Sequence, residues 1–245
     1  MHGDEIAGKY VIDTLKKDPY IRNRVGFFIA HPEALKLKKR FIEKDLNRSF
    51  PGKKKGITEE KLAYKLRNEL KKFDIVIDLH ATNSNIDSLI IVTGLGTKIK
   101  KLLKLIPIRK VAFINKKVFG GKEMIRYCKI GASLEYGPDK SGRNYKKILK
   151  HVKIMLSNIG IINGRKRLSS LKTLYRVSGV YPVKKNFRQN GGLYDFRFIK
   201  KGQIIGRIPD KYVKSNRNFY PLFLGKGRYK DTFALISPRK ELLKV

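Results

Sequence analysis

Asp74-Ile75-Val76-Ile77-Asp78-Leu79, followed directly by His80, is the stretch that decides the fold. A short apolar run of this kind is typical of a strand that is buried on both faces of a parallel sheet. In open α/β sheets, ligands bind beyond the carboxyl ends of the strands. The position of His80 at the end of this run therefore makes it a candidate for a functional site.

Helices and strands alternate around this run. Apolar side chains at helical spacing predict a helix over residues 4 to 17, with Glu5 in its first turn, and Thr58 is expected to cap a helix that runs to about Lys72. Other segments have the composition of strands or of amphipathic helices. The predicted strands are Arg24 to Ala30, Ser88 to Thr93, Lys110 to Ile114 and Ala132 to Tyr136, and the predicted helices lie near 97 to 105 and 143 to 158. This alternation predicts an α/β fold with a sheet flanked by helices.

The pattern changes after about residue 165. Short stretches with strand-like spacing are broken there by Gly, Pro and Asn, at Tyr175 to Val183, Gly192 to Ile199, Gln203 to Ile208 and Asp231 to Ile236. We therefore expect two domains. An α/β domain is expected over residues 1–165, and a small β-rich domain over residues 166–245.

Three strings carry candidate chemistry: His2-Gly3-Asp4-Glu5, Asp45-Leu46-Asn47-Arg48-Ser49-Phe50-Pro51-Gly52, and Asp78-Leu79-His80-Ala81-Thr82. The first and third offer two imidazoles and a carboxylate, and zinc accepts such a ligand set while a fourth position stays open to water. A His and a Glu three residues apart also occur by chance and then lie in solvent. The second string favours a site, because no helical or core role explains its Asn-Arg and Pro-Gly pairs.

Together with Leu134-Glu135-Tyr136-Gly137-Pro138, these strings resemble, in the same order, the motifs of the succinylglutamate desuccinylase and aspartoacylase family. Its members are zinc amidohydrolases whose catalytic domain is similar to that of zinc carboxypeptidases. The resemblance implies a mixed, mostly parallel sheet, with a β-rich C-terminal domain over the active-site entrance. It also implies a role for each of five residues: one zinc ion held by His2, Glu5 and His80, proton transfer by Glu135, and stabilisation of an oxyanion by Arg40.

The resemblance extends to the substrate. Asn47 and Arg48 match the residues that hold a substrate carboxylate, and Tyr229 matches a tyrosine of the pocket wall. A second substrate-binding arginine precedes the catalytic glutamate in the family, and Arg126 is the nearest candidate, although its spacing is one residue short. Because a planar guanidinium suits a carboxylate, a small anionic N-acyl amino acid is the implied substrate. Asp45 and Asp78 are expected to orient the loop or a ligand imidazole.

One departure from the family concerns the start of the chain. Family members place a buried strand before the first motif, whereas this chain reaches the motif directly after Met1. We expect either a true start upstream of Met1, which we favour, or a sheet that lacks its first N-terminal strand.

The charge of the chain supports a different class of function. Lys and Arg number 57 against 20 Asp and Glu, which gives a formal net charge of +37. Such a charge attracts polyanions, so one alternative is a nucleic-acid-binding protein with a vestigial metal site. The basic residues are spread over nearly every segment, without a nucleic-acid-binding motif, which leaves nucleic acid only non-specific electrostatic binding. A zinc carboxypeptidase that acts on peptides is the other alternative.

The remaining features concern location. Cys128 is the only cysteine, so an intrachain disulfide is excluded and a cytoplasmic location is expected. No apolar run approaches the ~20 residues that span a bilayer, and we expect no membrane association. His31 and His151 lie outside the motifs and are interpreted as structural. The sequence gives no indication of the oligomeric state.

Overall fold

The computed structural model describes residues 1–139, 142–209, 211–225 and 231–245. Its strands are, in chain order, Val76–Ala81 (β1), Leu89–Val92 (β2), Lys110–Ile114 (β3), Gly131–Tyr136 (β4), Leu171–Val177 (β5), Gly179–Pro182 (β6), Arg188–Gln189 (β7), Ile204–Ile208 (β8), Lys211–Lys214 (β9), Tyr220–Leu222 (β10), Thr232–Ser237 (β11) and Lys240–Lys244 (β12). A six-stranded sheet in the order β1-β4-β2-β3-β5-β12 lies at the centre. The pairs β1–β4, β2–β3 and β3–β5 are parallel, whereas β2–β4 and β5–β12 are antiparallel.

Helices cover both faces of this sheet. The α-helices are Ala7–Leu15 (α1), Pro19–Arg22 (α2), Pro32–Lys36 (α3), Thr58–Leu70 (α4), Thr97–Leu105 (α5), Lys116–Phe119 (α6) and Tyr145–Ile159 (α7). Helices α1, α5 and α7 share one buried apolar cluster with the strands, and α4 forms a second cluster with β1. The predicted α/β fold, with a mostly parallel sheet flanked by helices, is confirmed. Within the described ranges, none of the helices combines the length and the apolar character needed to cross a bilayer.

Residues beyond 165 contribute to three sheets. Two strands of this region, β5 and β12, extend the central sheet, while β10-β11-β6 and β7-β8-β9 form two separate three-stranded sheets. The predicted β-rich character of this region is therefore present. The division into domains at residue 165 stays a prediction, because the central sheet also takes strands from beyond it.

Two of the strand predictions were wrong, those for residues 24–30 and 192–199. Residues 26–29 belong to no strand, and this segment and β1 both line an apolar cavity of about 530 Å³. A strand needs the backbone of a neighbour for its hydrogen bonds, and here β1 is the edge of the sheet with the cavity beside it. Over residues 192–199, Gly192 and Phe196 adopt positive φ angles of 77° and 67°, which interrupt an extended chain.

Two helix starts also differ from expectation. Helix α1 begins at Ala7, so Glu5 precedes the helix instead of lying in its first turn. Thr58 is the first residue of α4 and does not cap it, because its hydroxyl donates to Glu43 Oε1 at 2.5 Å. Glu5 therefore lies in the segment before α1, and its carboxylate contacts the imidazoles of His2 and His80.

Candidate active site

His2, Glu5 and His80 meet at one buried point. Their candidate ligand atoms all lie within 4.8 Å of one another. Glu5 stands between the two imidazoles, with Oε1 at 2.9 Å from His2 Nδ1 and Oε2 at 2.9 Å from His80 Nδ1. The fold thus brings the start of the chain to the carboxyl end of β1, as the motifs predict.

A second carboxylate holds each imidazole from behind. His2 Nε2 lies 3.1 Å from Asp45 Oδ1, and His80 Nε2 lies 2.6 Å from Asp78 Oδ2. Histidines that bind metal commonly interact with a carboxylate through the ring nitrogen that does not bind the metal, and this contact fixes the ring orientation. Both rings therefore present Nδ1 toward Glu5, in the arrangement that a metal ion between the three residues requires.

The electrostatics of this point favour positive charge. Burial by itself lowers the pKa of His80, but the adjacent carboxylates of Asp78 and Glu5 outweigh it and raise that pKa to about 10. Burial alone would raise the pKa of Glu5, yet His2 and His80 hold it well below its usual range. His2 acts in the same way on the pKa of Asp45. A dication fits such a donor set, because the carboxylates already stabilise cationic imidazole here.

Arg40 joins the same group of charges. Its Nη1 donates to Glu5 Oε1 at 2.9 Å, and its Nη2 donates to Asp45 Oδ2 at 3.1 Å. The Arg40 side chain is 18% exposed, so it covers the buried residues and still reaches the cavity beside them. The structure therefore brings Arg40 to the three candidate ligands.

Glu135 reaches the site from the adjacent strand. It lies on β4 directly opposite His80 of β1 in the parallel register, and it is buried. Both residues line a cavity of about 340 Å³. Because parallel strands end at the same edge of the sheet, the Glu135 carboxylate and the candidate metal ligands share one space.

Asn47 and Arg48 line this cavity from the 3-10 turn Leu46–Arg48. The Arg48 guanidinium lies 3.7 Å from the centroid of the Phe119 ring, and Nη1 donates to the Asn47 carbonyl oxygen at 2.7 Å. Asn47 Oδ1 accepts the Met124 N–H at 2.9 Å. Its side-chain NH2 group is therefore the part of Asn47 that can donate to a ligand.

One predicted substrate residue, Arg126, does not line the cavity. Its Nε donates to Glu123 Oε2 at 3.0 Å, and its Nη2 donates to the Ile114 carbonyl oxygen at 3.2 Å. Its neighbours Glu123 and Ile125 line the cavity instead. Tyr229 lies outside the described residues.

Several lining residues carry no motif signal. Phe223, Leu224 and Leu235 of the C-terminal region line the cavity, together with Ile91 and Phe119. They are apolar residues in ordinary strand or loop sequence, and their role follows only from the fold. The predicted β-rich region does contribute to the cavity.

Two motif positions have no room for a side chain larger than that of glycine. A Cβ on Gly3 would lie 2.1 Å from the backbone carbonyl carbon of Ala34 in α3. Gly52 has a φ of +82°, and a Cβ there would lie 2.1 Å from the Tyr64 backbone nitrogen in α4. The first two motifs thus pack directly on helix backbones.

The family assignment follows from the sequence. Residues 1–158 match the family described as the succinylglutamate desuccinylase/aspartoacylase catalytic domain. The chain belongs to this family. A probable aspartoacylase from Nostoc sp. is 25% identical to this chain, in an alignment that covers 99% of this chain and 94% of the relative. Membership of this family supports a deacylase activity, that is, hydrolysis of an amide.

Solved structures agree with the fold. Murine aminoacylase 3 superposes with a TM-score of 0.81 at 22% identity, over 100% of this chain and 94% of that protein. Succinylglutamate desuccinylase from Vibrio cholerae gives a TM-score of 0.71 at 21% identity, over 99% of this chain and 78% of that protein. The predicted family and fold class are both confirmed.

Proposed function

We propose that this member of the family is a zinc-dependent deacylase that hydrolyses the amide bond of a small anionic N-acyl amino acid. The observation that carries the proposal is the meeting of His2, Glu5 and His80 within 4.8 Å, with each imidazole held by a further carboxylate. Family membership supports the deacylase activity. The nitrogen and oxygen donors support zinc.

His2, Glu5 and His80 would hold one zinc ion per chain. Zinc in such a site supplies a Lewis acid that activates water and polarises the amide carbonyl. Asp45 and Asp78 keep the two imidazoles in the orientation that presents Nδ1. Because these aspartates are buried or nearly so, their hold on the rings is shielded from water.

Glu135 is proposed to move the protons. It takes a proton from the attacking water and returns it to the departing amine nitrogen, which requires one carboxylate within reach of both. Its position opposite His80 supports this role. Arg40 is proposed to offset the negative charge that develops on the carbonyl oxygen, a contribution of ~3–4 kcal/mol for one donor at comparable sites.

Arg48 and Asn47 are proposed to bind the carboxylate of the substrate. The guanidinium of Arg48 presents two parallel N–H groups, and its stacking on Phe119 fixes their plane. The Asn47 NH2 group adds a third donor. Tyr229 and Arg126 stay proposals as further substrate contacts, and both rest on the resemblance of their motifs alone.

The experiment combines metal analysis with turnover. The purified protein is assayed for zinc content and for hydrolysis of acetyl- and succinyl-amino acids, alongside Glu135→Gln. We expect about one zinc per chain in both proteins and a loss of kcat of roughly 10²–10⁴-fold in the variant. Glu33→Gln, at an exposed position of α3, is the matched control and should match the unsubstituted protein.

Three results would contradict the proposal. The protein binds no zinc, or Glu135→Gln keeps full activity, or peptides are cleaved at their C-termini while N-acyl amino acids are not. Salt-sensitive binding of nucleic acid without any metal-dependent turnover would favour the polyanion-binding alternative.

A further inference from the structure

Glu59 is a buried carboxylate that no motif includes. It lies in the first turn of α4, and its side chain has no exposed surface. Three consecutive backbone N–H groups donate to it: Ile42 at 2.7 Å to Oε1, Glu43 at 3.2 Å to Oε1, and Lys44 at 3.2 Å to Oε2. A buried carboxylate with this many donors is stable as an anion.

His31 completes the set of donors. Its Nδ1 accepts the Ala34 N–H at 3.3 Å, so the ring proton is on Nε2, which donates to Glu59 Oε1 at 3.0 Å. The histidine therefore links the start of α3 to the start of α4. The structural role expected for His31 is consistent with this contact to Glu59.

The three N–H groups belong to a segment outside regular secondary structure, where the Glu43 carboxylate also accepts from the backbone N–H and the hydroxyl of Thr58. Residues 40–45 are all described and form neither helix nor strand. Arg40 stands at the start of this segment and Asp45 at its end. Arg40 donates to Glu5, and Asp45 contacts His2 Nε2, so both ends of the segment reach the metal-binding residues.

We propose that Glu59 is a positioning residue of the active site: its carboxylate clamps the backbone of residues 42–44, so that Asp45 orients His2 and Arg40 meets Glu5. The consequence for turnover rests on the proposed function. The consequence for metal affinity does not, because it depends only on the orientation of the donor atoms. Substitutions behind a metal ligand typically weaken affinity or activity by ~10–100-fold.

The test begins with Glu59→Gln, which keeps the shape and replaces one acceptor oxygen by an NH2 group. We expect the dissociation constant for zinc, measured by competition with a chromogenic chelator, to rise about tenfold. In the zinc-loaded enzyme kcat should fall while KM stays near the unsubstituted value, because Arg48 is not part of the clamp. Glu59→Asp keeps the charge and should recover part of both losses.

Glu60→Gln is the matched control. Glu60 stands in the same helical turn, so its substitution removes the same charge from the N-terminus of α4. Its carboxylate contacts only the lysine ammonium groups of Lys44 and Lys53 among the ion pairs of the described residues. Zinc affinity should be unchanged in Glu60→Gln, and an equal loss in both variants would overturn the proposal.

A double-mutant cycle separates positioning from general stability. In the background of Asp45→Asn, where His2 Nε2 has already lost its carboxylate partner, Glu59→Gln should weaken zinc binding much less than it does alone. A purely structural role would give the same factor in both backgrounds, and that result would overturn the proposal.

Amide hydrogen exchange covers the case in which Glu59→Gln does not fold. In the unsubstituted protein without metal, the N–H groups of residues 42–44 should exchange slowly. In Glu59→Asp these groups should exchange faster, while the exchange rates of the N–H groups in β1 stay unchanged. Exchange at unprotected rates in the unsubstituted protein would overturn the clamp. If the protein binds zinc but hydrolyses no N-acyl amino acid, the proposed function fails, while affinity and exchange still decide the role of Glu59.

Discussion

His80 and Glu135 are partners in the parallel ladder of β1 and β4, with their Cα atoms in register. Two residues earlier, Asp78 is paired in the same way with Ser133, whose hydroxyl donates to Asp78 Oδ2 at 3.3 Å. The same Oδ2 contacts His80 Nε2. Two adjacent strands therefore position the imidazole of a proposed metal ligand, the carboxylate behind it and the proposed proton-transfer group, without the help of a loop.

Asp78→Asn should weaken zinc binding. The amide cannot supply the negative charge that stabilises the oriented His80 ring, so we expect a loss of ~10–100-fold in affinity. Chelator competition measures it. Asp74→Asn is the control, because Asp74 lies just before β1, is 88% exposed and pairs with Lys129 at the surface. Equal zinc affinity in both variants would show that Asp78 does not orient His80.

Arg48→Lys should raise KM more than it lowers kcat. The lysine keeps the charge but loses the planar fork and the stacking on Phe119. We expect KM for an N-acyl amino acid to rise ~10-fold, which corresponds to about 1.4 kcal/mol of binding free energy. Arg24→Lys provides the control, because Arg24 stacks on Tyr20 at 3.6 Å outside the substrate cavity. A fall in kcat at constant KM would contradict the carboxylate-binding role.

Local sequence patterns predicted the helices and strands that depend on the spacing of neighbouring apolar residues. Lys110–Ile114 and Thr97–Leu105 were predicted at their observed bounds, because apolar spacing and length decide them. The segment at residues 24–30 has the composition of a strand, but pairing depends on a partner that the local pattern does not contain. Phe196 adopts a positive φ angle that nothing in its own residue type indicates.

The site shows the same division. His2, Glu5 and His80 could be proposed as ligands from the sequence because each lies in a short motif of recognisable residues. Arg126 lies on the 3-10 turn Met124–Tyr127, where each residue rotates the side-chain direction by ~120°. A spacing that is one residue short therefore directs Arg126 to Glu123, while Ile125 faces the cavity. No short string could reveal Glu59, because its partners are backbone N–H groups 15 to 17 residues away.

Asp195→Asn should change the pH dependence of stability. Burial raises the pKa of Asp195 to about 7, even though Oδ1 accepts the Leu224 N–H at 2.8 Å. Because this pKa lies above the value of ~3.9 in an unfolded chain, the group contributes stability below about pH 4 that is lost as the pH rises through 7. The free energy of unfolding of the unsubstituted protein should therefore fall over this range relative to that of the variant.

Urea unfolding at pH 5 and pH 8 measures this difference. The variant should gain stability relative to the unsubstituted protein between the two pH values, while Asp13→Asn, at a side chain that is 47% exposed, should not. Equal pH dependence in Asp195→Asn and the unsubstituted protein would mean that Asp195 titrates at the same pH in the folded and unfolded chain. Asp195 would then not hold Leu224 at the cavity wall as a neutral carboxyl group.

Gly3→Ala should disrupt the first motif. The added Cβ would meet the carbonyl carbon and oxygen of Ala34 at 2.1 and 2.2 Å, and these backbone atoms cannot move aside without shifting α3. We expect a loss of ~1–3 kcal/mol in the free energy of unfolding, together with weaker zinc binding, because His2 and Glu5 flank the displaced residue. Gly94→Ala is the control, since a Cβ there meets nothing within 4 Å. Unchanged zinc affinity in Gly3→Ala would show that His2 and Glu5 reach the proposed metal site without the close packing of Gly3 on α3.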